Sequence, residues 1–262
     1  MQPLYNLIGS TYGQTRRADP AILQALAQHL GAARAASYLD LGCGTGNYTC
    51  ALAARGGNWH GLDISSEMLE QARANSQFVT WQHGNADQLP YPDKTFAGVI
   101  CTLAIHHFPD LLSSFSEVFR VLNVGPFIVF TAFPDQMRNY WLCHYFPQMM
   151  ERSIETMPAE MAVLGALRKV GFAIQDVVPF HVTNDLQDLF LYSRKLRPKF
   201  YLDASFRVNI SSFATLCPTA ELERGLSALR SDMQDGSFTR IADHYATTAG
   251  DYAFVVAQKV DD

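Results

Sequence analysis

Apolar residues along the chain occur in short continuous runs, separated by segments in which they recur every three or four positions. Continuous runs are typical of strands in a parallel sheet that is covered on both faces, and the wider spacing is typical of helices that bury one side. The runs predict strands at about residues 37–41, 59–64, 78–83, 96–103, 126–133, 172–181 and 251–259. Their alternation with helical segments predicts an α/β fold.

The first predicted strand leads into a turn with three alternating glycines, Gly42, Gly44 and Gly46. Glycine permits a positive φ and close approach of a ligand to the main chain, and the helix that follows offers unpaired N–H groups. Such a triplet also occurs in turns that serve packing alone. Because the spacing fits neither the dinucleotide fingerprint nor the phosphate loop, it favours another nucleotide-like ligand.

An acidic residue, Asp63, lies at the end of the second predicted strand, 21 residues after Gly42. This is where a ribose-binding carboxylate belongs in a βαβ unit. With Asp40 ahead of the glycines, the pattern resembles the class I S-adenosylmethionine-dependent methyltransferases, and most closely the small-molecule branch that includes ubiquinone and menaquinone biosynthesis enzymes. The resemblance implies S-adenosyl-L-methionine as cofactor. It also implies a Rossmann-like seven-stranded mixed sheet, with strand seven antiparallel, flanked by helices.

Three further stretches match the family in the expected order. Residues 84–91 resemble its adenine loop, residues 96–108 its fourth strand and the following turn, and residues 117–125 its helix end before strand five. Asn85 stands where the family usually carries Asp. The amide oxygen of Asn85 can still accept a hydrogen bond from adenine, so we expect weaker or retuned cofactor binding.

The resemblance assigns cofactor binding to these motifs and to an N-terminal segment that resembles the family's flap. The predicted cofactor residues are Tyr12, Arg16, Asp40, Gly42, Gly44, Gly46, Asp63, Ile64, Asn85, Ala86 and Leu103. A guanidinium suits the carboxylate of the cofactor's amino-acid tail. The sequence does not separate Arg16 from Arg17 in this role, and the alternative is that both lie on the surface.

The chain departs from the simplest members of the family after strand six, because strand seven begins about 70 residues later. Leu186, Leu189 and Phe190 follow a helical pattern, and a second helix opens at Pro218 and ends before Gly236. We therefore predict a helical cap inserted between strands six and seven. The predicted division is residues 1–34 as N-terminal flap and helix, residues 35–182 and 250–262 as methyltransferase core, and residues 183–249 as cap or substrate insertion.

Composition and charge narrow the range of partners. Apolar residues make up 48% and charged residues 17% of the chain, and no apolar run reaches the length of a membrane span. A net charge of −5 argues against general nucleic-acid binding. One basic segment, residues 194–201, predicts either a solvated surface loop or a contact for an acidic substrate.

Cysteine usage and the N-terminus indicate the compartment. The five cysteines are odd in number and form no C-x-x-C pair, which argues against a disulfide framework and against a structural metal site. The first residues lack a basic region followed by an apolar region, which argues against a secretion signal. We predict a cytoplasmic protein with reduced thiols.

Two groups of side chains are candidates for the chemistry. Methyl transfer from a sulfonium needs mainly placement of donor and acceptor, but a general base helps if the acceptor is a hydroxyl or a protonated carbon. His106 and His107 lie at the carboxyl end of strand four and are the candidate bases; the alternative is that they shape the turn. The candidate substrate residues are Tyr140, Trp141, His144 and Tyr145, whose spacing is equally typical of a core.

The sequence therefore predicts a methyltransferase acting on a small, partly apolar acceptor, without identifying the acceptor or the atom that is methylated. One alternative is an S-adenosylmethionine-binding protein without turnover. Another is arsenite methylation through Cys101, Cys143 and Cys217, which show no recognisable ligand spacing. An RNA methyltransferase is disfavoured by the acidic composition and by the lack of an N-P-P-[YF] motif.

Overall fold

The computed structural model of the protein describes residues 16–31 and 35–260. Its strands are β1 (Ser37–Leu41), β2 (Asn58–Asp63), β3 (Thr80–His83), β4 (Gly98–Thr102), β5 (Gly125–Thr131), β6 (Ala173–Phe180) and β7 (Tyr252–Lys259). They form one sheet in the order β3-β2-β1-β4-β5-β7-β6. Strands β1 to β5 are parallel, and β7 pairs antiparallel with β5 and β6. The predicted mixed sheet is confirmed.

Helices cover both faces of the sheet. They are α1 (Pro20–Leu30), α2 (Asn47–Ala53), α3 (Ser66–Asn75), α4 (Leu111–Val121), α5 (Pro134–Met137), α6 (Leu142–Tyr145), α7 (Pro147–Glu155), α8 (Glu160–Val170), α9 (Ala204–Arg207), α10 (Thr219–Asp235) and α11 (Ser237–His244). Two 3₁₀ turns, Ile105–His107 and Pro198–Leu202, and a π-helical turn, Ser212–Leu216, connect them.

Local signals explain where the helices begin and end. The Asp19 side chain accepts hydrogen bonds from the N–H groups of Ala21 and Ile22 at the start of α1, as an N-cap residue should. At the other end Gly31 adopts φ of 57°, a left-handed conformation that glycine tolerates without strain. Asp110 caps α4 in the same way through the N–H of Ser113.

The central strands are buried on both sides, which explains their continuous apolar runs. On β4, Val99, Ile100 and Cys101 are all fully buried. Val99 and Cys101 belong to a cluster beneath α4 and α8, whereas Ile100 faces the opposite cluster, which includes residues of α1, α6 and α7. The sheet thus separates two cores, and the larger aromatic side chains collect on the second side.

The segment between β6 and β7 packs over that aromatic side. Tyr140 stacks on Tyr192 with ring centroids 3.9 Å apart, and Trp141 meets Tyr201 and Phe238 edge-on at 5.0 and 5.1 Å. These contacts join the chain after β5 to the chain after β6. The segment is therefore part of the core on this face.

The two helices predicted in this segment fared differently. Helix α10 is confirmed and ends at Asp235, directly before Gly236, with Leu229 fully buried. The helix predicted around residues 186–190 is wrong, because these residues have an irregular backbone with a bend at Asp188. Arg194 donates to the carbonyl oxygen of Leu186 at 2.6 Å, and Asp188 accepts from side chains elsewhere, so long-range contacts hold an irregular backbone.

Within residues 16–31 and 35–260, no helix combines the length and the apolar character needed to cross a lipid bilayer.

Candidate functional site

The glycine turn after β1 has the backbone conformation that its sequence predicts. Gly42, Gly44 and Gly46 have φ of 73°, 54° and 75°, all in the left-handed region. The N–H groups of Gly42 and Cys43 donate to the carbonyl oxygen of Leu62, at 2.8 and 3.1 Å. These bonds fix the turn against the end of β2.

Asp63, the last residue of β2, is joined directly to this turn. Its carboxylate accepts from the N–H of Gly44 through one oxygen and from the N–H of Ser65 through the other, each at 2.8 Å. Desolvation raises the pKa of Asp63, although these N–H donors act in the opposite direction. A carboxylate has about four acceptor positions, so two bonds leave capacity for ligand hydroxyls.

The three glycines have different surroundings. A Cβ on Gly42 would lie 2.6 Å from the Cβ of Ala104, and a Cβ on Gly46 would lie 2.2 Å from the Trp81 ring. A Cβ on Gly44 would meet nothing within 4 Å. Gly42 and Gly46 are therefore required for packing, whereas Gly44 borders open space beside the Asp63 carboxylate.

Asp40 is a buried carboxylate at the start of the same turn, with 2% of its surface exposed. One oxygen accepts from the hydroxyl of Thr49 at 2.5 Å, and the other, Oδ1, has no hydrogen-bond partner among the described residues. Burial raises the pKa of Asp40 to about 7, and the nearby Asp63 contributes in the same direction. A cation beside Oδ1 would stabilise the ionised form.

The predicted adenine-binding residues lie beside the carboxyl ends of β2 and β3. Ile64 is 52% exposed although it is a large apolar residue, and Asn85 is also exposed in the loop after β3. His83 places a ring nitrogen 3.0 Å from the carbonyl oxygen of Ile64. Ile64 thus offers an exposed apolar surface, and its backbone contacts His83, a residue that the sequence analysis did not single out.

A cavity of about 390 Å³ lies where the carboxyl ends of β4 and β5 meet α5, α7 and the segment after β6. Its walls combine apolar side chains with hydroxyl and amide groups. The lining residues are Arg16, Leu103, His106, His107, Ala132, Met137, Tyr140, Ser153, Thr156, Met157, Leu189, Phe190, Leu191, Asn209, Ile210, Ser211, Ser212, Thr215, Leu216 and Tyr252. Carboxyl ends of strands are the usual ligand-binding edge of open α/β sheets.

The two candidate bases lie in this cavity wall on the 3₁₀ turn Ile105–His107. Burial, with a smaller effect of His107, lowers the pKa of His106 to about 3, and desolvation also lowers the pKa of His107. His106 Nδ1 is buried without a hydrogen-bond partner among the described residues. Both imidazoles are therefore neutral at pH 7, and His106 is better suited to accept a hydrogen bond than to hold a proton.

Leu103, also in the cavity wall, has an unusual backbone conformation. Its φ of 54° is rare for a residue with a branched side chain. Its N–H donates to the carbonyl oxygen of Phe130 at 2.7 Å, which holds the chain in this state as it leaves β4. Such strain is found mostly where function requires it.

Arg16 reaches the cavity from the N-terminal side and is already paired. Its guanidinium contacts both carboxylate oxygens of Asp188, at 2.5 and 3.0 Å, and Asp188 also accepts from the hydroxyl of Tyr48 at 3.1 Å. Arg17, the alternative in the sequence analysis, is exposed. Tyr12 lies outside the described residues.

The four predicted substrate residues are divided by the structure. Tyr140 lines the cavity, and its hydroxyl donates to the carbonyl oxygen of Asp251. Trp141 donates to the carbonyl oxygen of Lys195, Tyr145 donates to Asp232, and His144 is exposed. None of these three is among the described residues that line the cavity.

Several lining residues were missed by sequence reasoning. Ser153 on α7, Thr156 directly after this helix, and the chain from Asn209 to Leu216 carry no motif. The local signal available was an excess of small polar residues around 209–215, which the sequence analysis did not use. π-Helical turns such as Ser212–Leu216 frequently occur at functional sites.

The basic segment 194–201 has internal partners. Lys195 forms an ion pair with Asp251, whose side chain is 4% exposed, and the Arg194 guanidinium lies 5.1 Å from the centre of the Phe200 ring. Among the described residues, no three His, Cys, Asp or Glu side chains form a group that could hold a metal ion. The geometry thus gives the arsenite hypothesis no support.

These residues fit a nucleoside with an amino-acid tail. Asp63 can accept from ribose hydroxyls, the space at Gly44 can admit the tail, and the unpartnered oxygen of Asp40 can receive its ammonium group. The cavity begins next to this turn, because Ala104, which touches Gly42, is two residues before His106.

Comparisons with known proteins agree with this geometry. A sequence profile described as "Methyltransferase domain" matches residues 39–130. A solved structure from Anabaena variabilis, described as a methyltransferase from an antibiotic biosynthesis pathway, is 32% identical with a TM-score of 0.83. The match covers 94% of this chain and 100% of that one.

Two further relatives are more distant or match over a shorter length. A demethylmenaquinone methyltransferase of Bacillus licheniformis is 38% identical over 102 residues, which are 37% of this chain and 44% of that protein. The chain thus matches less than half the length of this curated relative. A geranyl diphosphate C-methyltransferase of Streptomyces coelicolor, solved with Mg²⁺, geranyl diphosphate and S-adenosyl-L-homocysteine, is 15% identical over 92% of this chain and 79% of that one. Its TM-score of 0.57 shows a shared fold.

Proposed function

The chain belongs to the class I S-adenosylmethionine-dependent methyltransferases, and from this membership we propose that it methylates an uncharged small-molecule acceptor held in the cavity beside the glycine turn. The cofactor supplies an activated methyl group on a sulfonium centre. What remains for the protein is to hold donor and acceptor in line and to keep water away from them.

Residues around the first two strands would hold the cofactor. The Asp63 carboxylate would accept from the ribose hydroxyls, and the exposed side chain of Ile64 would contact the adenine ring. Asn85 and Ala86 would meet the edge of adenine through amide groups. Asp40 Oδ1 would pair with the ammonium group of the amino-acid tail, which resolves its lack of a partner among the described residues.

Residues after β4 would place the acceptor. His106 and His107 are neutral, and either imidazole nitrogen can hydrogen-bond to a hydroxyl or amine and orient its lone pair. Both imidazoles have a lower proton affinity than an ordinary histidine. His106 and His107 would therefore position the acceptor more than deprotonate it. Leu103 and Tyr140 would close the apolar walls around the reacting groups.

One observation carries the proposal: the glycine turn, which would hold the nucleoside, and the cavity share a wall. Ala104 packs so tightly on Gly42 that no Cβ fits there, and the next residues of the same turn line the cavity. A molecule bound at the glycine turn and a molecule in the cavity would therefore be neighbours. Placement of this kind accounts for much of the rate enhancement in two-substrate reactions.

Binding of S-adenosyl-L-homocysteine to paired glycine variants tests the proposal. Gly44→Ala adds a Cβ to the open space by Asp63, and Gly31→Ala adds one at nearly the same φ, 57° against 54°, also with nothing within 4 Å. Both variants should lose about 1 kcal/mol of stability from the left-handed backbone. By calorimetry, only Gly44→Ala should weaken binding, by roughly tenfold or more.

Asp63→Ala in the same assay should weaken binding by at least about tenfold, because charge-assisted hydrogen bonds contribute about 1.5–3 kcal/mol each. An absence of binding by the unmodified protein, or equal binding by all variants, would remove the basis of the proposal. Release of S-adenosyl-L-homocysteine from S-adenosylmethionine in the presence of cell extract separates an enzyme from a binding protein without turnover.

The compartment is also part of the proposal. All five cysteines are unpaired, as expected in the reducing cytoplasm. Recovery of the protein in the soluble cytoplasmic fraction, with five titratable thiols under denaturing conditions, is the expected result.

A further inference from the structure

The cavity offers an acceptor almost no net charge. Arg16 is the one Lys, Arg, Asp or Glu among the described lining residues, and the Asp188 carboxylate neutralises it. His106 and His107 are neutral at pH 7. The first 15 residues of the sequence, which lie outside the described range, contain no Lys or Arg.

One lining side chain carries a buried hydroxyl that makes no hydrogen bond within the described part of the chain. Ser153 on α7 is 3% exposed, and its Oγ has no partner among the described residues. The hydroxyl of Thr156 donates to the carbonyl oxygen of Ser153 at 2.8 Å, and the hydroxyl of Thr215 donates to that of Ser211 at 2.8 Å. The hydroxyls of Thr156 and Thr215 therefore have internal partners, whereas that of Ser153 has none among the described residues.

Unsatisfied buried hydroxyl groups are rare in native proteins, and a bound ligand is one of the few explanations. The same cavity contains a second unpartnered polar atom, Nδ1 of His106, on the turn after β4. The two atoms belong to different elements, α7 and the turn Ile105–His107, with apolar side chains such as Met137 and Leu189 also in the wall.

We infer that the acceptor is an uncharged, mostly apolar molecule with two polar groups, one at the imidazoles and one bound by the Ser153 hydroxyl. Ser153 is then a specificity-determining residue that reads the group remote from the methylated atom. The inference rests on the proposed function, because the imidazole end is assigned by its proximity to the glycine turn.

Three biphenyl probes of similar shape test the inference on protein loaded with S-adenosyl-L-homocysteine. The first is para,para′-biphenol, which has a hydroxyl at each end, and the second is para-phenylphenol, which has a hydroxyl at one end only. The third is 4′-hydroxybiphenyl-4-carboxylate, which has a hydroxyl at one end and a carboxylate at the other. Calorimetry should give the biphenol an affinity about tenfold higher than that of phenylphenol, since one more buried hydrogen bond forms. The carboxylate should bind at least about tenfold more weakly than phenylphenol, since its charge finds no counterion.

Ser153→Ala should abolish the preference for biphenol, bringing the affinity ratio to about one or below, while phenylphenol binding changes less than about twofold. Ser114→Ala is the matched control. Ser114 on α4 is also fully buried with an unpartnered hydroxyl among the described residues, but it does not line the cavity. Its removal should leave the ratio unchanged.

Thermal unfolding keeps the result interpretable. Ser153→Ala should not lower Tm, because no hydrogen bond is lost; a clear drop in Tm would reveal a hidden partner and count against the inference. Ser153→Cys, which places a weaker hydrogen-bond donor at the same position, should give an intermediate ratio. Equal affinities of biphenol and phenylphenol for the unmodified protein, preferential binding of the carboxylate, or no binding of any probe would each overturn the inference. Failure to bind S-adenosyl-L-homocysteine at the outset would instead reject the proposed function.

Discussion

At the scale of single residues, we expect Asp40 to couple ligand binding to pH. Its carboxyl keeps a proton up to a pKa of about 7 in the folded protein, whereas an ordinary Asp ionises near 3.8. The folded-state pKa is raised, so the protonated folded state is favoured and stability falls as pH rises from about 4 to about 7. A cationic ammonium beside Oδ1 would reverse this preference and draw the proton off.

The affinity for S-adenosyl-L-homocysteine should therefore increase between about pH 5.5 and pH 7.5, approaching tenfold per pH unit below the pKa. Binding near pH 6 should release a proton, which calorimetry in buffers of different ionisation enthalpy detects. Asp40→Asn should bind more weakly and remove most of the pH dependence. A flat profile for the unmodified protein would show that Asp40 does not meet the ligand's cation.

The proximity of the glycine turn to Asp63 could be predicted from the sequence. The turn and Asp63 are linked by the register of β1 and β2, in which Leu41 pairs with Leu62, so spacing alone brings them together. Ser153 could not be found in this way. Its significance depends on the absence of a partner among residues from α7, the turn after β4 and the segment after β6, which only the folded chain specifies.

At the scale of elements, helix α4 holds the loop that carries Asn85 and Ala86. Arg120 donates to the carbonyl oxygens of Tyr91 and Leu89, at 2.7 and 3.0 Å. Glu117 accepts from the N–H of Leu89 at 2.7 Å and is itself paired with Arg120. Glu117 and Arg120 thus fix the backbone from Leu89 to Tyr91. This gives the family motif at residues 117–125 a physical role, which is to hold this loop.

Arg120→Lys should raise the KM for S-adenosylmethionine by about tenfold while kcat changes less than about twofold, because lysine cannot reach two carbonyl oxygens with one planar group. The control is Arg138→Lys, which alters an exposed pair with Asp135 at 3.3 Å that lies in α5 and its cap. Steady-state kinetics at saturating acceptor measures both constants. A loss confined to kcat would assign Arg120 a different role.

Element-level prediction failed where long-range contacts override local pattern. The apolar spacing of Leu186, Leu189 and Phe190 is helical, yet the chain there is irregular, with a bend at Asp188. Asp188 in their midst binds Arg16, which is 172 residues away in sequence. A buried ion pair and its hydrogen bonds outweigh the weak helical preference of a few residues.

At the scale of the whole molecule, Asp188 links three parts of the chain. It joins the segment before α1 through Arg16, the helix after the glycine turn through Tyr48, and the segment between β6 and β7 to which it belongs. Its side chain is 1% exposed and that of Arg16 is 15% exposed. Removing one charge would leave the other buried without compensation.

Asp188→Asn should therefore lower the free energy of unfolding by about 3 kcal/mol, as seen when one partner of a buried pair is removed. Urea denaturation measures the loss, and Asp135→Asn at the exposed pair should produce no measurable change. Combining Arg16→Met with Asp188→Leu should regain most of the stability. An unchanged midpoint for Asp188→Asn would show that the pair contributes nothing to cohesion between these parts.

The strands and the helices between them could be predicted from the sequence, because each βαβ unit has its own local signature, and the resemblance implied the antiparallel strand seven. The cavity did not, since its walls come from residues between Arg16 and Tyr252 that meet only after the sheet has formed. The predicted division of the chain into flap, core and cap remains a prediction.

The pairing of Phe180 with Tyr252 has a consequence for how this architecture can diversify. The long segment between β6 and β7 leaves and re-enters the sheet at adjacent positions, as a two-residue hairpin loop would. Its length and content can therefore change without rethreading a strand, provided that something covers the aromatic surface beneath it. We therefore expect that new acceptor preferences would arise by exchange of this segment, while the residues around the glycine turn stay the same.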